Sequence, residues 1–549
     1  MASKKILSQK IKVAAVRGLQ KAQTKNKNLL DWIKEIGITI RGQPFSFQGH
    51  EYLREIYEKH ADNMVFMKGA QVGISTYHLL KALWLCDTRV AKVIYFFPTD
   101  RDVSDFSNDR AKPLLEENDY LRQRVTGIDN VGLKQLGTSS IYFRGMVSRM
   151  KVKSVDADFI ILDELDECPP DNLKFAFDRL LHSQLRWKSQ LSQPSVPDFG
   201  IHREFLKSDQ RVWAMQCGRC NKWNFFNPNE PNKAIEFAEK FLRPINGTYC
   251  WHCIYCGKPL EIKHQQWIPL SARSKIRGYH LTQIYSTIIP PQEIAEEIAE
   301  AKEKKTARIR VFNSIFGIPY TDEIRQPITD EIIQSSQGEF GFLSESNLAY
   351  TGVDVGDTLH IVIGQDLGDK IQVIYLESTE DWGRLKTLMA QYSIWLCIID
   401  AMPYKASAKQ FAREFPERVI LQYFKGSREE RGNEIEKKEE DGLVVIRIGR
   451  TESLDDTTDS IRQGKIIFPN PGKLSIFQLN AYETFKNHLK NLIKDFKEDE
   501  KGNKWFEYKH NVENHYGMAL NSMRLAIEYT RQFGRRFYGA GAAWTRINL

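Results

Sequence analysis

The chain has 549 residues, of which 42% are hydrophobic, and a formal net charge of +8 at pH 7. This length allows more than one folded domain, and this composition excludes wholesale disorder. No apolar run is long enough to cross a membrane, and the basic N-terminus lacks the continuous apolar core of a secretory signal. We therefore expect a protein without a membrane partner that stays in the cytoplasm where it is made. The mild positive charge permits a nucleic-acid partner but does not require one.

The first part of the chain alternates between helices and short apolar strands. Residues 1–41 are predicted to form a basic helical N-terminal extension, which is either solvated or a docking arm for a partner. Residues 42–330 are predicted to form an α/β domain with helices on both faces of a mostly parallel sheet. Its predicted elements are a helix at His50–Lys59, a strand at Met64–Met67, a helix at Thr76–Leu85, strands at Val93–Phe97 and Phe159–Leu162, and a helix at Pro291–Lys305.

A second α/β domain is predicted over residues 345–532. Three closely spaced strands should form an antiparallel meander, and a helix and a fourth strand follow, which is the element order of the ribonuclease-H-like fold. The predicted elements are strands at Tyr350–Val355, Ile361–Gly364 and Gln372–Leu376, a helix at Asp381–Gln391 and a strand at Leu396–Ile399. The charged run Arg428–Asp441 is interpreted as a solvated loop, and residues 533–549 as a basic C-terminal tail.

The turn after the strand Met64–Met67 has the composition of a phosphate-binding loop. Free backbone N–H groups and the dipole of the following helix attract anions at such a turn. The usual loop has lysine directly after its last glycine, but Ile74 stands there, so Lys68 is the candidate cation for the phosphates. Taken alone, the segment fits an ordinary strand-to-helix turn as well. The candidate nucleotide-binding residues are Lys68, Gly69, Ala70, Gln71, Val72, Gly73, Ile74, Ser75 and Thr76.

Two carboxylates follow the apolar strand Phe159–Leu162. Asp163 is predicted to bind Mg²⁺, which Ser75 or Thr76 would also contact, and Glu164 is predicted to orient and polarise the attacking water. The loop and the acidic pair occur in the right order, each at the end of a predicted strand of one sheet. Together they indicate an enzyme that hydrolyses a nucleoside triphosphate, with ATP and Mg²⁺ as the expected ligands.

Three further side chains are candidates for the same site. Gln48 is expected to contact the adenine edge, although a surface glutamine beside core aromatic residues fits the sequence nearly as well. Arg144 and Arg149 precede the acidic strand, and either is a candidate arginine finger that stabilises phosphate charge.

The cysteines indicate a metal site. The chain has eight cysteines, and five of them lie between Cys217 and Cys256. Cys217 with Cys220 and Cys253 with Cys256 form two CxxC pairs, a pattern typical of a closed structural Zn²⁺ site. Cys250 and His252 are spare candidate ligands. We interpret residues 213–260 as a zinc-binding insert in the first domain.

Two aspartates of the second domain indicate a nuclease. Asp354 lies on its first strand and Asp400 follows its fourth, and these strands are adjacent in a ribonuclease-H-like sheet. Their carboxylates should therefore converge on Mg²⁺ or Mn²⁺ ions, which stabilise the attacking and leaving oxygens of phosphodiester cleavage. A third carboxylate is expected near His515, on the last helix.

In combination, these motifs resemble the lambda-type large terminase family of tailed bacteriophages. The resemblance spans Pro44 to Tyr529 and extends to segments that have no clear role on their own. These are Phe97–Asp100 with Asp105–Ser107 and Arg110, the Ser192–Ser195 segment that resembles the family's coupling motif, and Phe312–Tyr320, which resembles the segment closing the ATPase domain.

The resemblance implies a P-loop ATPase domain with a zinc-binding insert, followed by a ribonuclease-H-like nuclease domain. It further implies a motor that moves double-stranded DNA into a procapsid through the portal protein, and a nuclease that cuts concatemeric DNA. A small terminase subunit would recognise the DNA, and a homo-oligomeric ring would work in the host cytoplasm, transiently docked on the portal. The basic tail, with Arg531, Arg535, Arg536 and Arg546, could dock on that portal.

One position departs from the family pattern. The family ends its nuclease site with a motif like Asn-His-x-x-Asp, but here Asn514 and His515 are followed by Met518 at the aspartate position. A thioether is a poor ligand for Mg²⁺ or Mn²⁺. Either Glu513 or His515 substitutes for the missing carboxylate, or cleavage is weakened.

Two other functions fit parts of the sequence. The first is a helicase-like DNA translocase or remodeller with structural zinc, whose second α/β domain binds without cleaving. The second is a DNA-binding structural protein without enzymatic activity. The acidic pair Asp354 and Asp400 separates the nuclease from the first alternative, and turnover dependent on Lys68 and Glu164 separates the motor from the second.

Overall fold

The computed structural model describes residues 27–272, 274–322, 325–425, 434–498, 504–510 and 512–534. The chain divides into two compact units, Met1–Thr321 and Asp322–Leu549. Residues 1–26 of the predicted N-terminal extension and residues 535–549 of the predicted tail lie outside the described residues. No helix among the described residues is both long and apolar enough to cross a membrane.

The first unit contains fifteen strands in the part of the chain that is described. They are β1 Thr39–Ile40, β2 Gln43–Pro44, β3 Asn63–Lys68, β4 Lys92–Phe97, β5 Val125–Asn130, β6 Leu133–Leu136, β7 Ser139–Gly145, β8 Phe159–Asp163, β9 Trp187–Ser192, β10 Arg211–Cys217, β11 Trp223–Phe225, β12 Leu242–Ile245, β13 Thr248–Trp251, β14 Ile262–Pro269 and β15 Arg277–Leu281.

The helices of the first unit lie between these strands. They are α1 Leu29–Ile36, α2 Arg54–Glu58, α3 Ile74–Thr88, α4 Asp100–Phe106, α5 Lys112–Glu117, α6 Asp119–Arg124, α7 Arg149–Lys153, α8 Pro170–Asp178, α9 Gly200–Leu206, α10 Ala234–Phe241, α11 Pro291–Glu303 and α12 Lys305–Arg310, with π-helical turns at Ser107–Ala111 and Val311–Phe316.

One large sheet organises the first unit. Its strand order is β11-β10-β15-β3-β9-β8-β4-β7-β6-β5, with β14 added beside β10. The central strands from β10 to β7 run parallel, whereas β5, β6, β11 and β14 are antiparallel additions at the two sides. Every residue of β8 is buried, which is why it appears in the sequence as a continuous apolar run. The predicted parallel α/β domain is confirmed.

Helix α3 lies against the centre of this sheet and is buried almost all round. From Tyr77 to Thr88 every residue is buried, as expected for a helix that is hydrophobic on all faces. Helix α1 also joins this core, because Trp32 is fully buried and its indole Nε1 donates to Asp87 at 2.9 Å. This helix falls within the segment predicted as an extension.

The second unit has a smaller mixed sheet. The strands of that sheet are β16 Ala349–Val355, β17 Leu359–Asp366, β18 Ile371–Thr379, β19 Ile394–Asp400, β20 Val419–Phe424, β21 Glu436–Glu440, β22 Leu443–Ile448 and β23 Ile466–Ile467, and a separate pair of strands is formed by β24 Lys494–Glu498 and β25 Lys504–Tyr508. Its helices are α13 Asp330–Ser335, α14 Trp382–Gln391, α15 Lys405–Glu414, α16 Arg450–Arg462, α17 Ile476–Lys490 and α18 His515–Phe533.

The order of the second sheet is β21-β22-β20-β19-β16-β17-β18-β23. Strands β16, β17 and β18 form an antiparallel meander, and β19 returns parallel to β16, followed by β20 parallel to β19. This is the ribonuclease-H-like arrangement, so the predicted fold class is confirmed. Helix α18 packs directly on β16, since a Cβ placed on Gly352 would lie 2.0 Å from the Ala519 carbonyl oxygen.

One local prediction is wrong. Of the charged run Arg428–Asp441, residues 426–433 lie outside the described residues, but Glu436–Glu440 forms strand β21. It pairs antiparallel with the apolar strand β22. A highly charged edge strand carries no apolar pattern that would mark it in a sequence, because its side chains face solvent.

Candidate functional site

Three parallel strands of the first unit end side by side. β3 and β8 each pair with β9, so Lys68 at the end of β3, Asp163 at the end of β8 and Ser192 at the end of β9 meet at one edge of the sheet. Lys68 is 6% exposed, and its Nζ donates to Glu164 Oε1 at 2.7 Å. The structure thus brings together the cation and the two carboxylates that the sequence predicts for phosphate chemistry.

The Asp163 carboxylate is buried and accepts hydrogen bonds from two neighbouring side chains. Its Oδ2 accepts hydrogen bonds from the hydroxyl of Tyr95 at 2.8 Å and the hydroxyl of Ser75 at 3.2 Å. Burial raises the pKa of Asp163 to about 6; the ammonium of Lys68 opposes this rise and the charge of Glu164 adds to it. Ser75 and Asp163 therefore present two oxygen ligands side by side, the donor type that Mg²⁺ prefers.

The Glu164 side chain is held by residues at the end of strand β9, which lies between β3 and β8. The Glu164 backbone has a left-handed conformation, with φ at 49°, directly after the last residue of β8. Its Oε2 accepts from the Ser192 hydroxyl and from the Gln193 backbone N–H, both at 3.3 Å. The segment that resembles a coupling motif thus contacts the carboxylate predicted to orient water.

The phosphate-loop candidate packs against a distant part of the chain. The backbone N–H of Ala70 donates to the Ser314 carbonyl at 2.8 Å, and that of Gly69 donates to Leu281 at 2.7 Å. A Cβ on Gly69 would lie 2.5 Å from the Ser314 carbonyl oxygen, so only glycine fits. Gln193 accepts from the Ser314 hydroxyl at 2.8 Å. The loop, the Ser192–Ser195 segment and the Phe312–Tyr320 segment therefore form one connected structure.

Helix α3, which begins at the loop, is anchored to the sheet by a buried histidine. His78 Nδ1 lies 2.9 Å from the Ile74 carbonyl oxygen, and His78 Nε2 lies 2.6 Å from the Ser189 hydroxyl. Because a carbonyl only accepts, Nδ1 carries the proton and Nε2 accepts from Ser189. Burial lowers the pKa of His78 to about 3, so the ring is neutral in the folded protein at pH 7.

Three predicted residues have other surroundings. Gln48 is exposed, and its backbone N–H donates to Ser46 at 3.1 Å. Arg144 donates to the Lys151 carbonyl at 3.4 Å, and Arg149 stacks over the Phe175 ring at 4.2 Å. The adenine contact and the arginine finger stay predictions.

Sequence reasoning did not assign a role at this site to Tyr95 or Arg110. Burial by itself would lower the pKa of the Lys68 ammonium. The charges of Glu164 and Asp163 outweigh burial, so this pKa is raised above its usual value, although the nearby positive charge of Arg110 acts to lower it. A tyrosine in the middle of a strand carries no signal of such a contact.

The four paired cysteines converge in the first unit. Cys217 and Cys256 have their sulfur atoms 4.0 Å apart, and those of Cys220 and Cys253 are 3.5 Å apart. All four sulfurs lie within 4.8 Å of one another, as a tetrahedral ion would require. Burial opposes ionisation of Cys253, but backbone N–H groups of residues 255 and 256 lower the pKa of its thiol to about 7.

In the second unit, the two predicted aspartates lie on adjacent strands. Val353 and Ile399 are register partners, which places Asp354 and Asp400 next to each other. Burial raises the pKa of Asp400 to about 7, and the charge of Asp354 contributes to that rise. The pair is thus a concentrated negative charge that a divalent cation would neutralise.

Two histidines complete a second group around Asp354. His515 Nδ1 lies 2.8 Å from Asp354 Oδ2, and the rings of His360 and His515 stack with centroids 4.8 Å apart. Asp354, His360 and His515 each offer a ligand atom, and the three atoms lie within 4.8 Å of one another. His515 is a candidate from the sequence alone, whereas His360 is not, because a lone histidine in a strand has no distinctive spacing.

Met518, which stands at the family's aspartate position, is buried beside an arginine. The Arg450 Nη2 lies 3.9 Å from its sulfur, and the same guanidinium donates to the carbonyls of Tyr508 at 2.8 Å and Lys509 at 3.2 Å. Burial lowers the pKa of Arg450, and the charges of Asp400 and Asp354 oppose that lowering. A buried cation therefore lies near the aspartate pair on the side where a third carboxylate was expected.

The mostly parallel sheet, with a strand-to-helix loop after β3 and two carboxylates after β8, has the arrangement of a P-loop NTPase fold. Residues 44–275 match the family model described as the ATPase domain of the phage terminase large subunit gpA. No curated protein sequence matches the chain.

Several solved structures are similar to the chain at low identity. The large terminase of bacteriophage HK97 is 11% identical, with 90% of this chain and 98% of that chain covered and a TM-score of 0.42. The large terminase of a thermophilic bacteriophage, in complex with ADP, is 11% identical, covering 88% and 98%, with a TM-score of 0.30. The large terminase nuclease of the thermophilic phage G20c with bound magnesium is 13% identical, covering 35% and 95%, with a TM-score of 0.24.

The buried neutral state of His78 predicts acid sensitivity of the first unit. An unfolded histidine takes up its proton near pH 6.5, whereas folded His78 does so only at about pH 3. Between these values the unfolded chain binds more protons, so stability is full above pH 6.5 and falls as the pH falls, by up to about 1.4 kcal/mol per pH unit. Urea unfolding between pH 7 and 4.5 should show a shallower pH slope for His78→Gln than for the wild type. The exposed His182→Gln is the control, and equal slopes for wild type and His78→Gln would contradict the assignment.

Proposed function

We propose that this chain is the large subunit of a phage terminase, an ATP-hydrolysing motor that translocates double-stranded viral DNA into a procapsid and a metal-dependent endonuclease that cuts concatemeric DNA. The observation that carries the motor is the contact of Lys68 with Glu164, beside Asp163, at the start of the phosphate-loop candidate. That contact lies within the residues matched by the terminase ATPase family. The whole chain's partners and DNA substrate are inferred from that family.

The motor site divides the chemistry among its side chains. Ser75 and Asp163 would hold Mg²⁺, which neutralises phosphate charge when bound. The ammonium of Lys68, now paired with Glu164, would turn to the phosphates of ATP. Glu164 would then be free to accept a proton from, and so orient, the attacking water.

Two contacts would pass the state of this site to the rest of the domain. Ser192 and Gln193 hold the Glu164 carboxylate, and Gln193 in turn holds Ser314 behind the loop. If the Glu164 carboxylate moves when Lys68 leaves it, the hydrogen bonds that it accepts from Ser192 and Gln193 would have to rearrange. We infer that this segment links hydrolysis to DNA movement.

The nuclease is proposed for the second unit. Asp354 and Asp400 would bind Mg²⁺ or Mn²⁺ against the scissile phosphate of double-stranded DNA, where the ion stabilises charge on the reacting oxygens. Arg450 would add a fixed positive charge to the same place. The small terminase subunit, the portal protein and further copies of this chain in a ring are the proposed partners, in the host cytoplasm.

The motor assignment predicts the behaviour of two variants. Glu164→Gln should keep ATP binding but lower kcat for hydrolysis by at least about 100-fold, because the group that orients water is lost. Lys68→Ala should weaken binding of ATP as well, because the phosphates lose their buried cation. A coupled ATPase assay and a fluorescent-nucleotide titration measure these effects. Lys92→Ala, at the exposed opposite end of a neighbouring strand, is the control. Wild-type turnover by Lys68→Ala would refute the motor site, and the absence of turnover in every form would favour a non-enzymatic DNA-binding protein.

The nuclease assignment is tested by cleavage of a supercoiled plasmid with Mg²⁺ or Mn²⁺. Asp354→Asn and Asp400→Asn should each reduce cutting by about 100-fold or more, because the metal loses a charged ligand. Asp369→Asn, an exposed carboxylate in the same unit, should cut like the wild type. If Asp354→Asn cuts as fast as the wild type, or if no form cuts, a helicase-like translocase with a non-cleaving second unit is the better account.

We propose further that the four cysteines of the first unit bind one structural Zn²⁺. Elemental analysis of the purified protein should give about one zinc per chain, as one tetrahedral site requires. Cys253→Ser should lose the ion and lower the melting temperature. Cys250→Ser should retain it, because Cys250 is not among the four converging sulfurs. Zinc retained at full stoichiometry by Cys253→Ser would contradict this ligand set.

A further inference from the structure

The group formed by Asp354, His360 and His515 is arranged differently from the aspartate pair. Asp354 and His360 are register partners on the antiparallel strands β16 and β17, so their side chains leave the same face of the sheet. His515 is the first residue of α18, which packs on β16. Three separate elements thus place one carboxylate and two imidazoles within reach of a single ion, their ligand atoms within 4.8 Å of one another.

The surroundings hold these imidazoles in place. The rings of His360 and His515 stack at 4.8 Å with an interplanar angle of 14°, and His515 Nδ1 lies 2.8 Å from Asp354 Oδ2. A third histidine, His488, packs against both rings, but its Nδ1 lies 3.2 Å from the backbone N–H of Tyr516 and accepts from it. His488 is therefore a neighbour of the group and not one of its three members.

The donor set decides which cation suits the group. Mg²⁺ demands oxygen ligands and keeps its waters, whereas Fe²⁺, Ni²⁺ and Zn²⁺ accept imidazole nitrogen readily, and Mn²⁺, the weakest binder of that series, still accepts it more readily than Mg²⁺ does. The carboxylate expected from the last helix would have favoured Mg²⁺, but Met518 stands there beside Arg450. The ligands that remain around Asp354 are therefore rich in nitrogen.

We infer that Asp354, His360 and His515 form a binding site for one divalent first-row transition-metal ion, which the site prefers to Mg²⁺. Asp354 is shared with the proposed nuclease pair, so the catalytic use of this ion rests on the proposed function, while its binding does not. Asp400 lies outside the three-residue group.

The test uses the full chain with its cysteine site already loaded with zinc. Mn²⁺ is titrated in the absence of nucleotide, and free Mn²⁺ is followed by its electron paramagnetic resonance signal, with Mg²⁺ as competitor. The wild type should bind Mn²⁺ at least about tenfold more tightly than Mg²⁺. His360→Ala and His515→Ala should each weaken Mn²⁺ binding by about tenfold or more, with a much smaller effect on Mg²⁺. His488→Gln should bind as the wild type does.

Equal affinity of the wild type for Mn²⁺ and Mg²⁺, or unchanged Mn²⁺ binding in both histidine variants, would overturn the inference. Thermal unfolding of the metal-free variants establishes that they are folded, and the wild-type competition decides the question even if a variant is not. Asp400→Asn separates this inference from the nuclease, because it should reduce plasmid cleavage by about 100-fold or more while the part of the Mn²⁺ binding that depends on His360 and His515 persists. Histidine-dependent Mn²⁺ binding in a chain that never cuts DNA would sustain the site and refute the nuclease.

Discussion

The ion pair between Lys68 and Glu164 is the interaction on which the proposed motor site depends. An ammonium that is almost fully buried is costly unless a carboxylate faces it. Lys68 is 6% exposed, and Asp163 is 4% exposed beside it. These charged groups can therefore be buried at this edge of the sheet only if groups of opposite charge lie there together. In the proposed mechanism, the phosphates of a nucleotide would replace the Glu164 carboxylate as the partner of the Lys68 ammonium.

The two units place the carboxylates of their proposed sites by the same structural means. In each, buried apolar strands carry carboxylates to the edge of a sheet, at Asp163 in the first unit and at Asp400 in the second. Burial raises the pKa of Asp163 to about 6 and that of Asp400 to about 7. Such groups are unfavourable as isolated anions and gain most from a bound cation. This shared property is the physical basis for proposing a divalent ion at both places.

The residues that end strands could be predicted from the sequence. Lys68, Asp163, Asp354 and Asp400 each lie at or near the end of a strand with a strong apolar run, and parallel strands bring such ends together. The ribonuclease-H-like strand order of the second unit could also be predicted, from the spacing of its strands along the chain. The four cysteines were found through their own spacing.

The remaining contacts depend on tertiary packing that no local pattern encodes. Tyr95 and His360 lie within strands, where alternation predicts burial but not a bonding partner. The hydrogen bonds from Ser192 and Gln193 to Glu164 could be predicted only if it were known that β9 lies between β3 and β8. Strand β21 was missed because its charged residues have no apolar face.

The central claim is that Lys68 exchanges a carboxylate for phosphate when ATP binds. The most direct measurement is a structure of the full chain with Mg²⁺ and a nonhydrolysable ATP analogue. The account predicts the Lys68 ammonium within about 3 Å of phosphate oxygens, the ion beside Ser75 and Asp163, and Glu164 released toward the γ-phosphate. Nucleotide bound elsewhere, or bound at the loop with the Lys68–Glu164 pair intact, would contradict it.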